Sequence, residues 1–204
     1  MKTDLRGLQD ASILAALSGV QRRFTIAMSS DSVSRLALEQ INAVALLYKP
    51  FEMGLLQRYF HVLQRLLLEQ QSQLPATAKG ERTRVLVVDD DEAVARTIER
   101  CLLDESRYAV AVAHNGLEAL EQFLDWHPRC VVTDLLMPWM NGYQVIRCLA
   151  GVPGTLPGFV VMSALHQHEV PLDRAYLAGN TVEYIDKPFQ VSHLLSAVER
   201  ACSA

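Results

Sequence analysis

The hydrophobic rhythm of the chain predicts an α/β fold, a five-stranded parallel sheet wound with helices on both faces, preceded by an all-α module. From about residue 84 onward, five short β-branched runs alternate with stretches of helical character. Those runs are continuously rather than alternately apolar, as strands buried on both faces are. Before residue 70, by contrast, apolar residues recur every three or four positions, the period of an amphipathic helix. The polar, aperiodic stretch QQSQLPATAKGERTR, with Pro75 and Gly80, reads as a linker. The expected division is a helical module at 1–70, a linker at 71–83 and an α/β domain at 84–204.

Within the first part, Leu5, Leu8, Ala11, Leu14, Leu17, Val20, Phe24 and Met28 line one face of a first helix. Ser29-Ser30-Asp31 breaks that pattern and offers N-cap oxygens to a second helix, with Val33, Leu36, Ile41, Val44 and Leu47 on its apolar side. Pro50 suits the first turn of a third helix, where a missing N–H costs nothing, and Glu52 complements the positive helix end. Leu55, Leu56, Tyr59, Phe60, Val62, Leu63, Leu66, Leu67 and Leu68 cover well over half of that third helix, so it needs packing on several sides. In the second part the strands are expected at Val85–Val88, Ala109–Ala113, Val131–Thr133, Phe159–Met162 and Val182–Ile185.

Composition excludes several classes. With 50% hydrophobic and 21% charged residues, this is an ordinary globular composition. No apolar run approaches the roughly 18 residues a membrane span needs. Asp4, Asp10, Ser18 and Gly19 make the N-terminus a poor secretory signal, so a cytoplasmic location and no membrane partner are expected. Cys101, Cys130, Cys148 and Cys202 form no CxxC pair and read as free thiols. Residues 1–80 hold nine Lys/Arg against six Asp/Glu, whereas residues 81–204 hold ten against seventeen. That asymmetry suggests two units with different partners and is too weak to imply nucleic-acid binding.

In open α/β sheets, ligands bind at the carboxyl ends of the strands. The first strand is followed by Asp89-Asp90-Asp91, the third by Asp134, the fourth by Ser163 and the fifth by Lys187 before Pro188. Carboxylates gathered at one edge repel one another, and a hard divalent cation removes that conflict. Mg2+ takes one or two carboxylates together with waters and a substrate phosphate. A carboxylate also serves as a nucleophile towards a phosphoryl group, giving an aspartyl phosphate. Neutralising the phosphoryl oxygens suits Mg2+ together with Lys187.

The motifs VLVVDDD (85–91), VVTDLLMPWMNG (131–142), VVMSA (160–164) and YIDKPF (184–189) resemble, in order and spacing, those of two-component response-regulator receiver domains. The resemblance covers roughly 120 residues and implies a flavodoxin-like sheet of order 2-1-3-4-5. It implies that Asp134 is the phosphoacceptor and that Mg2+ is held by Asp89, Asp90, Asp134 and the backbone carbonyl of Leu136. It further implies Ser163 as the switch hydroxyl, Lys187 as the cation that meets the phosphate, Tyr184 as the aromatic switch and a cis bond before Pro188. The implied partner is a sensor histidine kinase or a histidine phosphotransfer protein. On this reading the chain is a phosphoacceptor rather than an enzyme, with self-phosphorylation and self-dephosphorylation only. Leu136 and Leu165 are apolar where some relatives carry polar groups that position water. Slow self-hydrolysis is the resulting hypothesis, and a half-life of seconds would contradict it. His166 and His168 read as solvated loop residues, and Trp139 stands beside the acceptor.

Residues 1–70 resemble no family. No DNA-binding or catalytic domain follows the α/β part, so output is expected upstream or in a separate protein. The excess apolar surface of the third helix favours a dimerisation or partner-binding module, hence a homodimer through the N-terminal helices. The alternative is a nucleic-acid-binding transcriptional regulator whose N-terminal helices are the output domain. The scatter of Arg22, Arg23, Arg35, Lys49, Arg58 and Arg65 makes nucleic acid an unlikely partner. His61 reads as an ordinary helix histidine rather than a phosphorelay group, because Arg65 would crowd a docking receiver.

Overall fold

The structure, a computed structural model, describes residues 25–33, 43–69, 81–150, 157–164 and 180–203. The chain divides into two compact units between Leu63 and Gln64. In the first, strand β1 (Thr25–Ser29) pairs in parallel with β2 (Ala43–Tyr48) as a two-stranded sheet. Helix α1 (Met53–Glu69) follows and runs across the boundary.

The all-α expectation for residues 1–70 therefore fails where this part is described. Val44 and Leu47 fit a helical period, yet Ala43, Ala45 and Leu46 between and beside them are equally buried. A short, continuously apolar run is what a buried parallel strand needs, and periodicity alone does not separate it from a buried helix. The run ending at Met28 is likewise strand from Thr25. Most of the first expected helix, part of the second and residues 71–80 of the expected linker lie outside the described residues. Pro50 does not open α1. The Lys49–Pro50 peptide is cis, Lys49 N–H donates to the Ser29 carbonyl at 2.7 Å, and the helix starts only at Met53. On α1, Tyr59, Val62, Leu63 and Leu66 are buried, whereas Met53, Phe60, Leu67 and Leu68 are exposed.

The second unit has the expected sheet. Its elements are β3 (Thr83–Val88), α2 (Glu92–Leu103), β4 (Tyr108–Ala113), α3 (Gly116–Trp126), β5 (Cys130–Asp134), α4 (Gly142–Leu149), β6 (Gly158–Ser163), β7 (Val182–Asp186) and α5 (Val191–Cys202). Thr83 already belongs to a strand, one residue inside the expected linker. The sheet order is β4-β3-β5-β6-β7, all parallel, which is 2-1-3-4-5 in order of appearance. Between β6 and β7, residues 165–179, with Leu165, His166 and His168, lie outside the described residues.

Side-chain alternation in the central strands explains the two-sided burial. Val85 and Val87 of β3, Val132 of β5 and Val160 and Met162 of β6 pack with Ala95, Ile98 and Leu102 of α2 and Leu194, Ala197, Val198 and Ala201 of α5. The intervening Leu86, Val88, Val131, Phe159 and Val161 are fully buried on the opposite face, where α3 lies over β3 and β4 and packs against α4. All strands thus point their carboxyl ends to one edge. Among the described residues no helix is long and apolar enough to cross a membrane.

Candidate acidic phosphoryl site

Four strand ends build the site. Asp89 leaves β3 fully buried, and two contacts fix its carboxylate: Oδ1 accepts the Asp91 N–H at 2.9 Å, and Oδ2 accepts Lys187 Nζ at 2.9 Å. Asp134 is the last residue of β5, with its side chain 14% exposed. Its Oδ1 accepts the Leu136 N–H at 3.2 Å, and its Oδ2 accepts Lys187 Nζ at 2.9 Å. Lys187, just beyond β7, therefore bridges the two carboxylates. Its backbone N–H donates to the Ser163 carbonyl at 2.7 Å, tying the exits of β6 and β7 together. Ser163 is buried at the end of β6, and Tyr184 is half-buried in β7 in register with Val161. The Lys187–Pro188 peptide is cis.

Asp90 is exposed, yet Asp89, Asp90 and Asp134 each offer a carboxylate oxygen within 4.8 Å of the others. A compact set of hard anionic oxygens fits a small divalent cation of the Mg2+ type. Burial is the largest influence on Asp89 and pushes its carboxyl above the usual range, with the Lys187 and Asp91 hydrogen bonds only partly offsetting it. For Lys187, burial pulls the ammonium down, but Asp134 and Asp89 together outweigh it and the net shift is upward.

Several contributors escaped the sequence reading. Asp91, third of the acidic triplet, caps α2 by accepting the Ala93 and Val94 N–H groups at 2.9 and 3.2 Å, so it serves the helix rather than the cluster. The buried Thr133 hydroxyl donates to the Asp134 carbonyl at 2.9 Å. Gly142 opens α4 so close to the strand that a Cβ would come within 2.1 Å of the Asp134 carbonyl oxygen. Asn141 and Gln144 close a reciprocal capping box on the same helix, and the N-x-x-Q spacing was a legible signal for it. Trp139, in the loop between β5 and α4, is 53% exposed with φ of 62°, a left-handed conformation unusual for so bulky a residue. Leu136 is also exposed, and Asp186 is exposed while its neighbour Lys187 faces the carboxylates. His61 is exposed on α1.

Residues 85–199 match the family model described as the response regulator receiver domain. Response regulator MprA of Mycobacterium tuberculosis is 37% identical over 113 residues, which is 55% of this chain and 47% of that protein. Its namesake in Mycobacterium avium is 36% identical over 113 residues, 55% of this chain and 48% of that one. The chain thus matches about half the length of these curated relatives. Among solved structures, the receiver domain of the Francisella response regulator 1452 is 26% identical, covering 60% of this chain and 98% of that one with a TM-score of 0.51. The response regulator domain of Thermotoga maritima CheB, at 22% identity, 61% and 98% coverage and a TM-score of 0.53, supports the fold alone.

The bridge generates a pH-dependent prediction. Lys187→Met leaves Asp89 and Asp134 without their shared cation, raising further a carboxyl that burial has already raised. A carboxyl whose folded value lies above its unfolded one opposes folding when ionised. The loss, about 1–3 kcal/mol at about pH 7.5 after allowing for partial exposure, should therefore shrink as pH falls through the raised value and Asp89 protonates. Urea unfolding in EDTA at neutral pH and at about pH 4.5 measures it. A penalty that is absent, or equal at both pH values, contradicts the arrangement.

Proposed function

Over residues 85–199 the chain belongs to the response regulator receiver family, and from that premise we propose that Asp134 accepts a phosphoryl group from a histidine kinase or histidine phosphotransfer protein and that the signal leaves through protein contacts. The observation that carries this reading is Lys187 Nζ at 2.9 Å from both Asp89 and Asp134. That lysine supplies a fixed positive charge beside the carboxylate on which new negative charge would collect.

In the proposed transfer an Asp134 carboxylate oxygen attacks phosphorus. A P–O bond forms as the P–N bond to the donor imidazole breaks, and the electron pair stays on that nitrogen. Mg2+ held by Asp89, Asp90, Asp134 and the Leu136 carbonyl would supply charge neutralisation for the phosphoryl oxygens. Lys187 holds the Asp134 carboxylate in place and then pairs with the phosphoryl group. Ser163 donates its hydroxyl to a phosphoryl oxygen. Because the Ser163 carbonyl holds the Lys187 N–H, movement of one strand exit carries the other, with Tyr184 turning inward as Ser163 moves. The phosphoryl group adds nearly two negative charges, enough to bias that pair of exits between two packings.

For output, the same reading takes α1 as the contact between two copies. Met53, Phe60 and Leu67 are exposed at seven-residue spacing along one side of the helix, the repeat that pairs helices.

Two measurements test these claims. With phosphoramidate as donor, wild-type chain should take up one phosphoryl group in Mg2+ and none in EDTA, and Asp90→Asn should need at least about tenfold more Mg2+. Uptake indifferent to both EDTA and Asp90→Asn contradicts the cation reading. By light scattering the full chain should be dimeric and Phe60→Glu monomeric with unchanged circular dichroism. A monomeric wild-type chain rules out self-association through α1.

A further inference from the structure

Two of the four free cysteines are brought together at the end of β5 opposite Asp134. Cys130 opens β5 and is in register with Gly158 of β6. Gly158 lies so close to α5 that a Cβ there would meet the Ala201 carbonyl oxygen at 2.0 Å. Cys202 follows Ala201, and its own carbonyl accepts Arg129 Nε at 2.9 Å from the residue preceding Cys130. Cys202 packs against the core cluster that contains Cys130, and each thiol shifts the acidity of the other, upward for Cys130 and downward for Cys202.

Their environments differ in a way that assigns roles. Cys130 is fully buried, and both its donation to the Cys202 sulfur and its burial push its own thiol up. Cys202 is half-buried. The hydrogen bond from Cys130 favours its thiolate most, and the Arg129 and Arg107 guanidiniums add to that, so its thiol lies below the ordinary range despite burial. Partial exposure, a thiol donor and nearby cations are the surroundings of a reactive cysteine. Cys148 is the contrast: burial pushes it up to about 12, which marks an inert core thiol.

We propose that Cys202 and Cys130 are a redox-controlled dithiol, with Cys202 the attacking sulfur and Cys130 the resolving one, oxidised by hydrogen peroxide. The Cys202 thiolate attacks the terminal peroxide oxygen. An S–O bond forms, the O–O bond breaks, and hydroxide leaves and is protonated to water. Cys202 is now a sulfenic acid, oxidised by two electrons. Cys130 gives up its proton and attacks the Cys202 sulfur. The S–S bond forms, the S–O bond breaks, and the departing hydroxide takes that proton as a second water. Two thiols and one peroxide thus give one disulfide and two waters. The bond joins the first residue of the strand that ends in Asp134 to the last residue of the helix that follows Lys187 and Pro188, so oxidation restrains α5 against β5. This pair does not depend on the phosphoacceptor reading.

The experiment is exposure of the full chain to hydrogen peroxide, followed by denaturation, alkylation and peptide mass mapping. The four alkylatable thiols of the untreated chain should fall to two, with a Cys130–Cys202 cross-linked peptide that reductant removes. Cys130→Ser should stop at a Cys202 sulfenic acid that dimedone captures, and Cys202→Ser should leave Cys130 alkylatable. The wild-type map needs no variant, so a variant that folds poorly does not blunt the test. Four thiols surviving peroxide, a disulfide through Cys101 or Cys148, or a sulfinic acid on Cys202 with Cys130 still reduced would each overturn the proposal.

Discussion

One ammonium group held between two carboxylates is the constraint on which the rest of the site depends. At an effective dielectric of about 20, each contact of this length is worth roughly 5 kcal/mol of attraction, while removing each ion from water costs several kcal/mol. The terms nearly cancel, so the bridge contributes little net stability and much geometry. It fixes the relative positions of the exits of β3, β5 and β7 through Asp89, Asp134 and Lys187. The Ser163 carbonyl extends that tie to β6. Only a parallel sheet delivers four carboxyl-terminal strand ends to one edge, and the continuous Val-rich strands, buried on both faces, are what make the sheet parallel. The acidic edge and the apolar core are therefore two consequences of one topology. Gly142 completes it: without a Cβ, α4 starts directly against the Asp134 backbone.

Much of this was legible in the sequence, and the exceptions have physical causes. The sheet was readable because five apolar runs, each ending in a polar residue, leave few alternative arrangements. Asp89, Asp134, Ser163 and Lys187 were readable because strand ends were the right place to look. Asp91 was not separable from its neighbours by sequence. Three consecutive aspartates share a composition, and only the turn into α2 decides that the third faces the helix N–H groups. The proximity of Cys130 and Cys202 was hidden as well. They are 72 positions apart, and free thiols without CxxC spacing give no sign of a tertiary meeting. The close approach of Gly158 to Ala201 brings them together.

The N-terminal unit shows the opposite failure. A period of three to four read through Val44 and Leu47 as helix, although AVALLY is buried without interruption from Ala43 to Leu47. Five apolar residues in a row satisfy any period, and the environment chose a parallel pairing with β1. The third helix was long enough, at 17 residues, for its pattern to be decisive. Its apolar residues did exceed what one side needs: Tyr59, Val62, Leu63 and Leu66 are buried while Met53, Phe60 and Leu67 remain in solvent.

The central claim is that Asp134, poised by Lys187, is the residue that takes the phosphoryl group. The most direct measurement is reductive trapping: phosphorylate the full chain in Mg2+, reduce the acyl phosphate with tritiated borohydride, digest, and sequence the labelled peptide. The tritium is expected at position 134, recovered as homoserine, in the peptide that spans Leu135 and Leu136. Label at Asp89 or Asp90, or a stable phosphoprotein with no borohydride-sensitive group, would contradict it.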